Sequence, residues 1–192
     1  FVEGDIRDPD ALLRAMRGCD RVIHLAAKVS VPGSVADPLG FEEVNGRGFV
    51  QVLEAAKECG VSRVVYASSS AVYGSSALLP KEEGQPLAPE SPYAVAKAGN
   101  ELYGSVYSRS MGLSCVGLRY FNVFGPRQDP ASPYSGVISI FARTMIEGRA
   151  PMVHGDGEQS RDFTYVDNVV EANLRACAME QTAGQVYNIG CA

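Results

Sequence analysis

Short apolar segments alternate with longer amphipathic segments along this chain. The short segments read as strands at residues 1–6, 21–27, 63–68 and 113–120. The longer segments repeat apolar side chains at helical spacing and are predicted as helices over 9–17, 37–60 and 91–112. Two parallel strands need a long crossover, usually a helix, whereas antiparallel strands can be joined by a tight turn. The alternation therefore predicts an α/β fold, a doubly wound parallel sheet with helices on both faces.

From residue 121 the pattern loosens into a stretch rich in glycine and proline. Beyond it we predict a helix over 137–147, strands at 152–154, 161–166 and 186–189, and a helix capped by Asp167. No low-complexity linker separates the two parts. The chain is therefore predicted to divide into residues 1–120 and a smaller portion, 121–192, which is interleaved with the sheet.

Composition excludes several classes of function. The chain has 192 residues, 46% of them hydrophobic, and a net charge of −5 with scattered Lys and Arg. These values predict a globular protein that binds neither nucleic acid nor a membrane surface. The five cysteines are widely spaced and form no Cys-x-x-Cys pair, which favours reduced thiols in a cytoplasmic protein. His24 and His154 lack metal-ligand spacing, so we expect structural roles for them and no metal site.

Two segments carry recognisable chemistry. The first runs Ser-Ser-Ser-Ala-Val-Tyr-Gly over 68–74, and the second is Tyr93-x-x-x-Lys97 on a predicted helix. Residues four apart on a helix share a face, so the Lys97 ammonium is expected near the Tyr93 phenol, where its charge would lower the phenol pKa. A phenol with a lowered pKa can act as a general base, and a nearby serine hydroxyl can share the proton. The pair predicts proton transfer at an alcohol during hydride transfer.

Further polar or small residues follow predicted strands, namely Asp5, Ala26, Ala27, Ser69 and Asn122. The carboxyl ends of parallel strands meet at one edge of the sheet, where open α/β folds bind ligands. With these residues, the Tyr-x-x-x-Lys pair, the 119–127 stretch (RYFNVFGPR) and the 161–163 stretch (RDF), the chain resembles the extended short-chain dehydrogenase/reductases. Within them it is most similar to the NAD-dependent epimerase/dehydratase family of nucleotide-sugar 4-epimerases.

The resemblance implies a Rossmann-like fold, NAD as cofactor and a UDP-sugar as substrate. Residues 1–120 would form a partial NAD-binding domain and 121–192 the start of a nucleotide-sugar-binding portion. The reaction would be 4-epimerisation of a UDP-hexose or UDP-N-acetylhexosamine through a transient 4-keto sugar. The implied catalytic residues are Ser69, Tyr93 and Lys97. The implied cofactor residues are Asp5, Ile6, Leu25, Ala26, Ala27, Asn45, Ala67, Tyr93, Lys97 and Tyr120. The implied substrate residues are Ser69, Ser70, Asn122, Gln128 and Arg161.

Other readings stay open at this stage. The serine triplet could end a strand, Asp5 and Asn122 could form turns, and Arg161 could pair with a surface carboxylate. A UDP-glucuronate decarboxylase or epimerase would use the same core residues. A 4,6-dehydratase of the family carries an Asp-Glu pair where this chain has Ser70 and Ala71. A catalytically silent NAD(H)-sensing protein is expected to lack Tyr93 or Lys97.

The family's members begin with a Gly-x-x-Gly-x-x-Gly turn that holds the cofactor pyrophosphate at a helix N-terminus. No such turn precedes the first predicted strand, and the chain ends before the rest of the expected substrate region. We therefore expect a piece of a longer enzyme, incomplete at both ends and inactive alone. The family commonly dimerises through helices that correspond to 37–59 and 93–111, so a homodimer is expected of the whole protein.

Overall fold

The chain folds around a parallel sheet, seen in a computed structural model that describes residues 1–132, 135–153, 155–179 and 182–191. In chain order the elements are α1 (Pro9–Met16), β1 (Arg21–His24), α2 (Val31–Ala36), α3 (Pro38–Phe41), α4 (Gly48–Glu58), β2 (Arg63–Ser69), α5 (Pro92–Ser110), β3 (Ser114–Tyr120), β4 (Asn122–Phe124), α6 (Val137–Ile146), β5 (Phe163–Tyr165), α7 (Val166–Ala178) and β6 (Val186–Ile189).

The main sheet has four parallel strands in the order β1-β2-β3-β6. The register places Arg63 opposite Ser114 and Ser69 opposite Tyr120, so β2 and β3 end level with each other. A shorter parallel pair, β4 and β5, lies beside the sheet. Because β6 pairs with β3, the last part of the chain returns to the sheet that the first part builds. These observations confirm the α/β prediction.

Helices cover both faces of the sheet, as predicted. On one face α1 and α4 pack against the sheet through Leu12, Phe49 and Leu53, which share a buried cluster with Val64 on β2. A second cluster lies on the other face, where Ala176 of α7 packs against strand residues, namely Val65, Val116 and Leu118. The alternation of Val64 and Val65 between the two clusters follows from the strand period of two.

Helix α5 lies on the first face and is held close to the sheet. The ring of Tyr66 fits between two glycines, because a Cβ at Gly104 or Gly117 would lie 2.6 Å or 2.7 Å from its phenol oxygen. Ser91 caps the helix by accepting the backbone N–H of Ala94 at 3.2 Å, and Pro92 follows in its first turn. The capping signals in the sequence are therefore confirmed at this helix.

The predicted helix 37–60 is helical throughout but changes its pitch. It begins as α3, widens into a π-helical segment over Glu42–Arg47, and continues as α4. Asn45 lies buried in the wide turn, and Gly60 ends the helix at a φ of 70°. π-Helical turns inside α-helices are frequent at functional sites.

Several predicted elements are wrong or shorter than expected. Residues 1–6 do not form a strand. A strand is defined by hydrogen bonds to a neighbouring strand, and among the described residues β1 is an edge strand with no partner on its outer side. The strand predicted at 21–27 leaves the sheet after His24. Residues 152 and 153 are exposed and not in a strand, and His154 lies outside the described residues. Helix α7 begins before Asp167, which therefore lies in its first turn instead of capping it.

Candidate active site

Ser69 stands at the carboxyl end of β2, where the strand turns into a 3₁₀ segment over Ser70–Tyr73. Its backbone is extended, and its hydroxyl accepts the N–H of Ala71 at 3.2 Å as the N-cap of that segment. The hydroxyl also lies close enough to the phenol of Tyr93 to act on it, since it lowers the pKa of that phenol. The strand end thus directs Ser69 at the first turn of α5.

Lys97 lies one turn beyond Tyr93 on the same face of α5. Its Nζ is 5.8 Å from the centroid of the Tyr93 ring and donates a 2.7 Å hydrogen bond to the carbonyl oxygen of Ala67. The side chain is buried, with 3% of the residue exposed. An ammonium carries three N–H donors, so the bond to Ala67 leaves others for a ligand. The end of β2 therefore brings Ala67, Ser69, Tyr93 and Lys97 together, as predicted.

Burial sets the protonation of this group. It lowers the pKa of Lys97 from 10.5 to about 8. Burial also raises the pKa of Tyr93, and the Ser69 hydroxyl only partly opposes that rise. The expectation that Lys97 gives Tyr93 a lowered pKa is wrong for this structure, because desolvation of the phenolate dominates. His24 is buried beside Phe49, with ring centroids 5.5 Å apart, and burial and the Lys97 charge lower its pKa to about 4. A neutral structural role fits His24.

The segment that follows β1 is open. Leu25 and Ala26 are exposed and Ala27 is half-buried. Asn45 holds the next residue, since its Oδ1 accepts the N–H of Lys28 at 2.8 Å and its Nδ2 donates to the Lys28 carbonyl at 2.9 Å. Two small side chains on a fixed, exposed backbone allow close approach of a dinucleotide, so this segment after β1 fits the NAD cofactor that the sequence predicts.

Asp5 and Ile6 lie in the turn that precedes α1. Asp5 accepts three hydrogen bonds from the Arg7 guanidinium and one from the Arg7 backbone N–H, which lower the pKa of the exposed carboxyl to about 2. Ile6 packs against α4, where a Cβ on Gly48 would lie 2.8 Å from its Cδ1. Asp5 therefore forms a turn, and its contact with the cofactor remains a prediction.

Tyr120 ends β3 and faces the opposite side of the sheet from α5. Its hydroxyl donates to Oδ1 of Asn173 on α7 at 3.0 Å. Burial raises its pKa, partly opposed by that bond. The predicted place of Tyr120 beside the nicotinamide is not tested by these contacts.

The predicted substrate residues divide between two places. Asn122 and Arg161 come together where β4 pairs with β5: Nδ2 of Asn122 donates to the Asp162 carbonyl at 3.0 Å, and Arg161, next to it, is exposed and donates to the Ser160 carbonyl at 2.7 Å. Gln128 follows β4 in a loop and is half-buried. Ser70 lies beside Ser69 at the end of β2, so it belongs with the catalytic group.

Sequence reasoning missed the buried carboxylate of Glu101 and its partner Arg119. Both side chains are 5% exposed and form an ion pair at 2.7 Å, one turn of α5 beyond Lys97. The signal was available, because Glu101 continues the four-residue spacing of Tyr93 and Lys97.

Among the described residues, no group of His, Cys, Asp and Glu could hold a metal ion. Nor does any helix in that part of the chain have the length and apolar character to cross a membrane.

Comparison with known proteins places these features in a family. The chain is 41% identical to UDP-glucose 4-epimerase of Mycolicibacterium smegmatis over 99% of its own length and 61% of the relative's. It resembles the structure of UDP-N-acetylglucosamine 4-epimerase from Methanobrevibacter ruminantium in complex with UDP-N-acetylmuramic acid, with a TM-score of 0.92 and 43% identity, covering 97% of this chain and 59% of that one. It also resembles the Thermus thermophilus UDP-glucose 4-epimerase complex with NAD, with a TM-score of 0.89 and 41% identity, covering 99% of this chain and 63% of that one.

The chain thus spans about 60% of the length of these relatives. The model of the NAD dependent epimerase/dehydratase family matches residues 1–190, and the chain belongs to this family.

Proposed function

We propose that the whole protein is an NAD-dependent nucleotide-sugar 4-epimerase acting on a UDP-hexose or UDP-N-acetylhexosamine. The observation that carries this proposal is the meeting of Ser69, Tyr93 and Lys97 at the carboxyl end of β2. The hydroxyl comes from the end of a strand, and the phenol and the ammonium lie one turn apart on the neighbouring helix. Together they suit proton transfer at a sugar hydroxyl. The chain alone is expected to be inactive.

In this mechanism the phenolate form of Tyr93 takes the proton of the sugar 4-hydroxyl while the hydroxyl of Ser69 hydrogen-bonds the same oxygen. NAD, when bound, supplies the hydride chemistry. Lys97 holds the nicotinamide ribose with the N–H donors that Ala67 does not use, and Ala26 and Ala27 let the cofactor lie close to the backbone. Tyr93 returns the proton after the 4-keto ring has presented its other face.

The substrate is proposed to be held mainly by its diphosphate, which leaves the sugar ring free to turn. Asn122 and Arg161 are the proposed contacts, because Asn122 bonds the carbonyl of Asp162, the residue next to Arg161, and the Arg161 side chain is exposed there. A guanidinium fork matches phosphate oxygens in shape and charge. Ser70 and Gln128 are the further proposed substrate contacts.

The proposed partner is a second copy of the same protein, and the proposed location is the cytoplasm. Helix α5 exposes Val95, Leu102, Tyr103 and Val106, of which Leu102 is 67% exposed. These residues recur at helical spacing and form one apolar face that a second copy could cover.

The cysteines in the described residues are free thiols, which suits a reducing compartment such as the proposed cytoplasm.

The test is conversion of UDP-glucose and UDP-N-acetylglucosamine by the whole protein. We expect the 4-epimer as product, and Tyr93→Phe should lower turnover at least about 10²-fold with UDP binding kept. Tyr187→Phe, at an exposed tyrosine on β6, is the control and should keep normal turnover. Release of a 4-keto-6-deoxy sugar would make the protein a dehydratase, a result that Ala71 disfavours because it supplies no acid or base. Loss of carbon dioxide from UDP-glucuronate would make it a decarboxylase, and NAD binding without turnover would indicate a sensing protein.

A further inference from the structure

Glu101 is a buried carboxylate on the face of α5 that carries Tyr93 and Lys97. The three residues are spaced four apart, so their side chains lie in one row along the helix. Only 5% of the Glu101 side chain is exposed. A buried carboxylate without partners is strongly unfavourable, so the groups that donate hydrogen bonds to Glu101 are the ones that it holds in place.

Both oxygens of Glu101 are occupied. Ser68 donates from its hydroxyl to Oε1 at 2.5 Å, and Arg119 donates from Nε to Oε1 at 2.8 Å and from Nη2 to Oε2 at 2.7 Å. The two bonds from Arg119 form a planar fork, which fixes the direction of the carboxylate. Burial alone would lower the pKa of Arg119, but the hydrogen bonds and charge of Glu101 raise it, so the guanidinium stays charged.

Three successive contacts therefore join α5 to the end of β2. Lys97 bonds with the Ala67 carbonyl and Glu101 with Ser68, and the phenol of Tyr93 lies close to the Ser69 hydroxyl. The third contact fixes the residue directly before Ser69. A shift of the helix along the strand would disturb all three contacts together.

Arg119 extends this connection to the turn that follows Ser69. Its Nη1 donates to the hydroxyl of Tyr73 at 2.7 Å and to the Glu83 carbonyl at 3.2 Å. Tyr73 is the last residue of the 3₁₀ segment that Ser69 caps, and its hydroxyl donates to Oδ1 of Asn188 on β6 at 2.6 Å. The strand end and the turn after it are thus both tied to the same carboxylate.

We infer that Glu101 is a positioning residue for the reaction: through Ser68 and Arg119 it fixes the end of β2 against α5 and so sets the distance between the Ser69 hydroxyl and the Tyr93 phenol. This inference rests on the proposed function. Glu101 contacts neither Ser69 nor Tyr93 directly through the bonds described, so its effect passes through the backbone of Ser68 and the row of contacts along α5.

The test replaces Glu101 by Gln in the whole protein with NAD bound. The amide keeps the shape but places N–H donors against the Arg119 fork. Because small displacements of reacting groups can cost up to about 10²-fold in rate, we expect kcat to fall about tenfold to a hundredfold. KM and the affinity for UDP should stay within about twofold, since no substrate contact changes. The control is Glu54→Gln on α4, which makes the same change from a charged to a neutral acceptor at an equally short 2.5 Å bond, from the Tyr107 hydroxyl, and should leave kcat unchanged.

A double-mutant cycle with Ser69→Ala separates positioning from general damage. If Glu101 acts by placing Ser69, adding Glu101→Gln to Ser69→Ala should lower kcat by less than about threefold, because interacting residues are not additive. Full additivity, or normal kcat in Glu101→Gln, would overturn the inference. Should Glu101→Gln give no folded protein, Ser68→Ala decides, since it leaves the ion pair intact: a fall in kcat at unchanged UDP affinity supports the inference, and normal kcat ends it. Normal turnover in Tyr93→Phe would instead overturn the proposed function.

Discussion

The ammonium of Lys97 donates a hydrogen bond to the backbone carbonyl of Ala67 at 2.7 Å, so this bond joins the end of β2 to the first turns of α5. Because the acceptor is a backbone carbonyl, Lys97 is the only side chain in the bond. The bond is made in a buried setting where the charged form is penalised. The same residue that is proposed to hold a ribose therefore also joins strand to helix, which gives it a measurable effect on stability.

The first prediction concerns the pH dependence of that stability. The pKa of Lys97 is about 8 in the folded chain against an ordinary 10.5, so the unfolded chain holds more protons between these values. Stability from this group should therefore rise with pH across the window, by about 3 kcal/mol in total. Urea unfolding at a series of pH values should show this rise for the unchanged chain relative to Lys97→Met. The exposed lysine variant Lys57→Met should follow the unchanged chain, and parallel curves for Lys97→Met would contradict the prediction.

The second prediction concerns the glycines around Tyr66. A Cβ at Gly104 would lie 2.6 Å from the phenol oxygen of Tyr66, whereas a Cβ at Gly99, on the same helix, meets nothing within 4 Å. Gly104→Ala should lower the free energy of unfolding by about 1–3 kcal/mol through overpacking. Gly99→Ala should raise it by up to about 1 kcal/mol, because alanine favours a helix. Equal effects of the two changes in denaturant titrations would show that Tyr66 does not limit the approach of α5.

The elements that the sequence predicted correctly have local causes. Helix α5 follows from an N-cap serine, a proline and apolar spacing, all within its own residues, and β2 and β3 follow from apolar runs of strand length. The failures have non-local causes. Residues 1–6 have strand composition, but no strand among the described residues pairs with them. Asn45 lies in the π-helical turn and bonds Lys28, seventeen residues away.

The candidate site divides in the same way. Tyr93 and Lys97 could be found because their spacing is a property of one helix. Glu101 continues that spacing, but its burial could not be predicted, because a glutamate on a helix usually faces solvent and its partner Arg119 lies 18 residues further along the chain. The resemblance to a known family supplied the residue roles that spacing alone could not, while the direction of the Tyr93 pKa needed the burial that only the structure shows.

A third prediction tests the class of substrate. If Arg161 binds a diphosphate, its charge-assisted hydrogen bonds are worth about 1.5–3 kcal/mol, and Arg161→Ala should weaken UDP binding by the whole protein about ten- to a hundredfold. NAD binding should stay unchanged. Arg175→Ala is the control, because that arginine is exposed on α7 and pairs with Glu171. Equal UDP affinity in calorimetric titration of Arg161→Ala and the unchanged protein would move the diphosphate site elsewhere, and an unphosphorylated alcohol would become the better substrate class.

The last prediction concerns the cost of separating Glu101 from Arg119. Removing one member leaves a buried charge alone, so Glu101→Leu and Arg119→Met should each lower the free energy of unfolding by about 3–5 kcal/mol. The double variant should lose far less than the sum, because no buried charge then remains unpaired. The exposed pair Glu171 and Arg175 provides the matched control, since 57% and 72% of these side chains are exposed and water screens their charges. Additive losses for the buried pair in a double-mutant cycle of urea unfolding would mean that each side chain is stabilised by its other partners, Ser68 and Tyr73, and not by the ion pair.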